Sequence, residues 1–172
     1  MGRSDLPDAA VFSLPSDQDA ARRDASRLFA RVEAELRALL PASSDIRHIG
    51  ATAVSGCLTK GDLDVVVRVE GVTFAESDRV LSERFARNAG SKRTDSFSAF
   101  EDGEAVPHLG VQLTVKGGPD DYFHSLTDAL NRDPALVDAY NALKRRFVGQ
   151  PMESYRDAKS AFIRDVLARQ DD

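Results

Sequence analysis

Apolar residues recur every three to four positions at Leu28, Phe29, Val32, Leu36 and Leu39, the spacing of one buried helix face. Ser16 stands as an N-cap with Asp19 three residues on, so the pattern predicts a helix from there to about Leu40, stopped by Pro41. The pattern then changes. Ile46, His48 and the Gly50 region predict a brief strand feeding a glycine-containing loop and a short helical turn, and the valine-rich stretch 63–69 predicts a stronger strand. Phe74, Val80, Leu81 and Phe85 predict an amphipathic helix over residues 73–88, closed near Gly90. Two more strands are expected. Residues 96–101 form a short one before the Asp102-Gly103 turn. In residues 108–116, Leu109, Val111, Leu113 and Val115 share one face while His108, Gly110, Gln112 and Thr114 share the other. The rest reads as three helices, 120–131, 134–147 and 152–168, divided by Asp133-Pro134 and Gly149-Gln150-Pro151. Residues 1–15, with Pro7 and Pro15 and no clear period, read as an extended lead-in. The sum is an α+β fold: a small mixed sheet with flanking helices and a helical C-terminal region.

Composition narrows the functions. A length of 172 residues predicts a single domain. With 28 acidic against 23 basic residues the net charge is −5, which argues against a whole-surface nucleic-acid binder but leaves room for a local basic cleft. The lone Cys57 excludes an internal disulfide, and residues 1–10 lack the apolar core of a secretory signal, so a cytoplasmic location is expected. No stretch approaches the ~20 apolar residues that span a bilayer. Zinc-type spacings, a Walker loop, a nucleophile elbow and internal repeats are all missing from the sequence.

The chemistry concentrates in residues 47–69. Strand alternation puts Asp62 and Asp64 on one side, within reach of one divalent ion, while Leu63 and Val65 turn into packing. Hard cations such as Mg²⁺ are commonly held by one or two carboxylates plus phosphate oxygens. Upstream, Gly50 allows a tight turn and close backbone approach, amides at the start of the next turn can meet a triphosphate, and Thr52 offers a hydroxyl. The plain alternative is a solvated turn, since Lys60-Gly61-Asp62 is itself a turn-like string.

Strand, glycine loop, short helix and then Asp-apolar-Asp opening an apolar strand resembles the signature of the nucleotidyltransferase superfamily, the DNA polymerase β-like fold. Within it the chain is most similar to the GrpB-like branch at His48, Ile49, Gly50, Thr52, Val54, Gly56, Lys60 and Asp64. The run 110–117, Tyr140-Asn141, Leu143-Lys144, and Tyr155 to Lys159 also resemble that branch, so the likeness covers about residues 16–165. The resemblance implies transfer of a nucleoside monophosphate from a nucleoside triphosphate to an acceptor hydroxyl. Asp62 and Asp64 would act as catalytic metal ligands for Mg²⁺ or Mn²⁺, and His48, Gly50, Ala51, Thr52, Lys60 and Gln112 would line the nucleotide site. Partners would be the nucleoside triphosphate and an unknown small-molecule acceptor; no membrane partner is expected, and the net charge argues against nucleic acid.

Four positions depart from the family pattern: Ser55 and Gly61 stand where proline is usual and change loop stiffness, while two others touch the chemistry. The usual serine after the glycine is Ala51, which removes a hydroxyl from the phosphate loop. The third carboxylate is expected near Gln112, which cannot serve as a carboxylate base; Glu101 or Glu104 would be its substitute if the hairpin brings them in. A nucleotide-binding or regulatory module without turnover, and a partner-binding protein with a structural Asp pair, therefore stay open. Lys60, Lys144 and Lys159 can neutralise phosphates, although Lys144-Arg145-Arg146 reads more simply as a solvated helix face. Tyr140 and Tyr155 read as helix packing, and Cys57 as a small buried apolar residue.

Overall fold

In the computed structural model, which describes residues 10–171, the first apolar stripe forms helix α1 (Gln18–Leu39). Its cap is Asp17 rather than Ser16: the Asp17 carboxylate accepts the Ala20 N–H, a stronger charge-assisted version of the predicted contact. Strand β1 (Asp45–Ile49) leads through a 3₁₀ turn at Ala51–Ala53 to β2 (Leu63–Val69). Helix α2 (Phe74–Arg84) ends four residues before the predicted limit. The chain there turns extended and forms a two-residue strand, β3 (Ala86–Arg87), too short to leave a sequence pattern. Strands β4 (Phe97–Asp102) and β5 (Leu109–Val115) follow, then helices α3 (Phe123–Arg132), α4 (Pro134–Phe147) and α5 (Met152–Gln170).

The five strands form one mixed sheet in the order β1-β2-β5-β4-β3. Strands β2 and β5 run parallel, Leu63 opposite Leu109 through Val69 opposite Val115, and the other pairings are antiparallel. One face carries Leu63, Val65, Val67 and Val69 with Leu109, Val111, Leu113 and Phe100, and α1 and α2 cover it through Leu28, Val32, Leu36, Phe74 and Leu81. Each such side chain, fully buried, contributes about 1.5–3 kcal/mol. That core fixes the register, and a one-residue slip would send Asp64 into it.

The opposite face is where the C-terminal helices dock. A second cluster joins Val54 and Cys57 of the loop region to Leu130, Val137 and Tyr140 of α3 and α4. Of the expected lead-in, residues 1–9 lie outside the described residues. The portion from residue 10 lies against the 149–152 turn: Phe12 N–H donates to the Gln150 carbonyl and Gly149 N–H to the Phe12 carbonyl, both at 2.9 Å. Phe12 is fully buried and stacks on Tyr155 of α5, ring centroids 3.9 Å apart. Among the described residues no helix is long and apolar enough to cross a membrane.

Candidate active site

Between the second sheet face and the C-terminal helices lies a cleft of about 210 Å³, and its lining includes Asp62, Asp64, Gly50, Ala51, Lys60 and Gln112. Strand β2 supplies the acids. Asp62 immediately precedes it and Asp64 is its second residue, so both turn from the core that Leu63 and Val65 fill. Asp64 pairs with Gly110 on β5, and Gln112 follows on the same face. The structure thus brings Gln112 to the cleft beside Asp64, where a third carboxylate was expected.

Two glycines keep Asp64 bare. Gly50 has φ +77°, a left-handed conformation that penalises any side chain, and a Cβ built there would stand 3.0 Å from Asp64 Oδ2. A Cβ at Gly110 would stand 2.9 Å from Asp64 Oδ1. Asp64 is open to solvent only in part. Burial pushes its carboxyl above the usual value and neighbouring Asp62 adds to the rise, while Lys159, Lys60 and His108 oppose it. No hydrogen bond to the carboxylate appears among these influences. Asp62 is more open and stands 3.3 Å from Lys60 Nζ.

A desolvated carboxylate stripped of donors by two glycines, with a second acid beside it, fits a hard cation that also takes phosphate oxygens. Among the described residues no three His, Cys, Asp or Glu side chains converge into a metal cluster, so a cation held here would have Asp62 and Asp64 as its carboxylates.

His48 and Thr52 occupy a different place from the one expected. His48 lies opposite Val65 on β1, so its ring turns to the α1 side, 5.2 Å from the Phe29 ring. Its Nε2 meets Thr52 Oγ1 at 2.7 Å, and Thr52 Oγ1 donates to the Asp62 carbonyl at 3.2 Å. One hydroxyl proton cannot serve both, so His48 Nε2 is the donor to Thr52. Burial lowers the His48 pKa, keeping the imidazole neutral at pH 7. Both residues stand behind the loop and hold it to the start of β2; neither lines the cleft.

The helices supply what sequence reasoning passed over. Lys144 is no solvated residue: it is 3% exposed. Its ammonium lies 4.0 Å from the Tyr140 ring centroid and 3.6 Å from Cys57 Sγ, and it donates to the Leu58 carbonyl. Burial, with repulsion from Lys159, depresses its pKa to about 8. The signal was in the spacing, because Val137, Tyr140, Asn141 and Lys144 fall on one helical stripe. Lys159, Tyr155 and Ile163 reach the cleft from α5, Phe123 and Thr127 from α3, and Phe12 from the N-terminal segment. Burial raises the Tyr155 pKa to about 12 and the Tyr140 pKa well above its usual value, so both remain phenols at neutral pH. Thr127 Oγ1 accepts the Gly50 N–H at 3.3 Å, tying α3 to the loop. The cleft therefore offers two carboxylates at one edge, three lysines around them, and aromatic and aliphatic walls.

The family model described as GrpB protein matches residues 20–169. A UPF0157 protein of Vibrio cholerae serotype O1 is 33% identical over 152 residues, covering 88% of this chain and 80% of the relative. A UPF0157 protein of Deinococcus radiodurans is 30% identical over 149 residues, covering 82% and 74%. Among solved structures, the conserved protein GrpB from Enterococcus faecalis superposes with a TM-score of 0.64 at 19% identity, over 86% of this chain and 95% of that one. Cid1, an enzyme with RNA terminal uridylyl transferase activity, gives 0.52 at 11% identity, over 76% of this chain and 40% of that one. A MgATP-bound mutant of the Cid1 poly(U) polymerase gives 0.50 at 11% identity, over 76% and 42%. At those identities the likeness shows a shared nucleotidyltransferase-type fold.

Proposed function

The chain belongs to the GrpB family, and from that premise and the geometry of its cleft we propose that it is a metal-dependent nucleotidyltransferase, moving a nucleoside monophosphate from a nucleoside triphosphate to an acceptor hydroxyl. The observation that carries this reading is the bare Asp64 carboxylate, kept clear by Gly50 and Gly110 and paired with Asp62 at the edge of a lysine-lined cleft. In this reading Asp62 and Asp64 hold Mg²⁺, which when bound neutralises phosphate charge and polarises the phosphorus under attack. The first amides of the Ala51–Ala53 turn have no intrahelical acceptor and receive phosphate oxygens together with the ammonium groups of Lys60, Lys144 and Lys159. Phosphate binding beside Lys144 favours its charged form and so relieves the strain of a buried cation. Phe12, Tyr140, Tyr155 and Phe123 enclose the remainder of the nucleotide and exclude water. Catalysis by these residues is positioning and charge neutralisation.

A second reading, a nucleotide-binding module without turnover, is favoured by Ala51 and Gln112, which leave the phosphate loop without its serine and the third-acid position without a carboxylate. Titration calorimetry with the four ribonucleoside triphosphates, with and without Mg²⁺, is paired with an assay of pyrophosphate release. Metal-dependent binding with release supports transfer. Binding without release supports the module, and failure of every nucleotide to bind rejects both.

A further inference from the structure

We propose that the acceptor is a phosphomonoester, and that the Gln112 carboxamide selects it from the place where a third carboxylate was expected. The inference rests on the transferase reading of the cleft and narrows its acceptor hydroxyl to the acidic P–OH of a phosphate group. Register places Gln112. It stands opposite Val66 on β2 and Ala99 on β4, both buried and apolar, so neither side chain takes a hydrogen bond from its amide. Two residues earlier on β5 is Gly110, opposite Asp64. A Cβ built at Gly110 would stand 2.9 Å from Asp64 Oδ1 and 3.7 Å from Gln112 Nε2. The amide and the Asp64 carboxylate therefore border one bare spot, and both line the cleft.

The ionisable groups of the lining set the class of acceptor. Among the described residues its carboxylates are Asp62 and Asp64, which hold the metal in this reading. The others are donors at neutral pH. Lys60, Lys144 and Lys159 present ammonium groups to phosphate, and burial holds Tyr122, Tyr140 and Tyr155 as phenols. An alcohol would have to give its proton to a base that this lining does not supply. A phosphomonoester needs none, because its second ionisation lies at about pH 6 and the attacking oxygen arrives as an anion. A carboxylate at position 112 would repel that dianion, whereas the amide donates to it. Lys159, the cation felt most strongly at Asp64, supplies counter-charge from the helix side. In the transfer, the anionic oxygen forms a bond to the α-phosphorus of the nucleoside triphosphate. The bond from that phosphorus to the bridging oxygen breaks, and its electron pair leaves with pyrophosphate. A phosphoanhydride joins the two substrates, and no proton moves.

The test uses the full chain with Mg²⁺ and each ribonucleoside triphosphate, offering glycerol 3-phosphate and ribose 5-phosphate as acceptors beside glycerol, ribose and acetate. Pyrophosphate release should be about 100-fold faster or more with the phosphates, and phosphorus NMR of the product should show the two coupled atoms of an anhydride. The rate should rise with pH through the second ionisation of the acceptor. That rise should move to higher pH with the phosphonate analogue of glycerol 3-phosphate, which is less acidic. A readout independent of turnover is calorimetry of glycerol 3-phosphate on protein holding Mg²⁺ and an α,β-methylene nucleotide, which cannot release pyrophosphate. Gln112→Glu, which adds the repelling charge, and Gln112→Ala, which only removes the donor, should each weaken that binding about 10-fold or more. Alcohols or acetate accepted as readily as the phosphates, a phosphodiester product, or phosphate binding unaltered in both variants would each overturn the proposal. So would wild type that binds nucleotide and transfers it to neither phosphate. Wild type that binds no nucleotide rejects the transferase reading itself, and the acceptor with it.

Discussion

Strand β2 carries charge at both ends of its cleft-facing side, and the fold treats the two ends differently. At Arg68 the guanidinium donates to both oxygens of Asp121, at 2.6 and 2.8 Å, and to Asp45 Oδ2 at 2.7 Å. Burial works against the charged forms of Asp121 and Asp45, yet their hydrogen-bond partners, Arg68 for both and Arg47 for Asp45, outweigh it and both carboxyls sit below their ordinary range. Gly117 N–H completes the cluster at 2.8 Å from Asp121 Oδ2. Four residues earlier on the strand, Asp64 faces the loop and helices with no hydrogen-bonded counter-charge, and burial pushes its carboxyl above the ordinary range although Lys159 and Lys60 partly oppose the rise. The first end is an internally satisfied ion network, in which each partner desolvates the others and supplies the counter-charge. The second has only longer-range help from Lys159 and Lys60, with no donor held against the carboxylate. An acid pair in a strand is thus read as a site by what its neighbours withhold as much as by what it contains.

The largest effect that would break this contrast is at the closed end. Asp121→Ala removes the bidentate partner of a guanidinium whose side chain is 16% exposed, and unfolding in denaturant should show a loss of about 3 kcal/mol. A loss below about 0.5 kcal/mol would mean that the network is a surface ornament, and the contrast with Asp64 would disappear.

Lys144 gives the next effect, expressed in pH. Its folded-state pKa of about 8 lies below the ordinary 10.5, so the unfolded chain holds the proton more tightly. Stability must therefore rise as pH increases from about 8 to about 10.5, by roughly 3 kcal/mol at most. Denaturant melts across that window should show the rise in wild type and lose it in Lys144→Met. Parallel profiles for the two proteins would place the lysine in water.

The smallest effect belongs to Asp64 in the apo protein. A carboxyl with a raised folded-state pKa opposes folding when ionised, so Asp64→Asn should equal wild type at pH 7 or exceed it by up to about 1 kcal/mol. The advantage should shrink as pH falls through the raised folded-state value and vanish below the ordinary one. A clear loss of apo stability in Asp64→Asn would show a carboxylate already satisfied from within.

What was legible in the sequence follows the same physics. Valine content along residues 63–69 and alternation along residues 109–115 revealed both central strands, because β-branched side chains pack well on a buried sheet and Leu109, Val111 and Leu113 all enter the core under α1 and α2. The common side of Asp62 and Asp64 and the polar side of Gln112 followed from the alternation of side chains along a strand. Caps and turns were approximate: the acid at Asp17 displaced Ser16, and Asp120 and Asp121, expected inside a helix, instead pair with Lys92 and Arg68 just before α3. His48 and Thr52 misled because a motif gives order along the chain and not the face of the sheet; pairing of His48 with Val65 decides that face. Lys144 was hidden by the two arginines after it, and Phe12 by the absence of any period around it. Glu101, the expected substitute for the third acid, pairs with Gly110, which pairs with Asp64, yet it does not line the cleft; only the strand order β2-β5-β4 shows its place.

The central claim is that Asp64 is completed by a metal-bound nucleotide, and a thermal melt tests it most directly. Ligand at ~100 times its dissociation constant stabilises the folded state by about 2.7 kcal/mol. For a chain of this size that corresponds to a rise of roughly 5 to 11 °C in Tm. Wild type with Mg²⁺ and at least one ribonucleoside triphosphate should show such a rise, Mg²⁺-dependent, and Asp64→Asn should lose nearly all of it. No shift in wild type with any of the four nucleotides, or an equal shift in Asp64→Asn, would contradict the account.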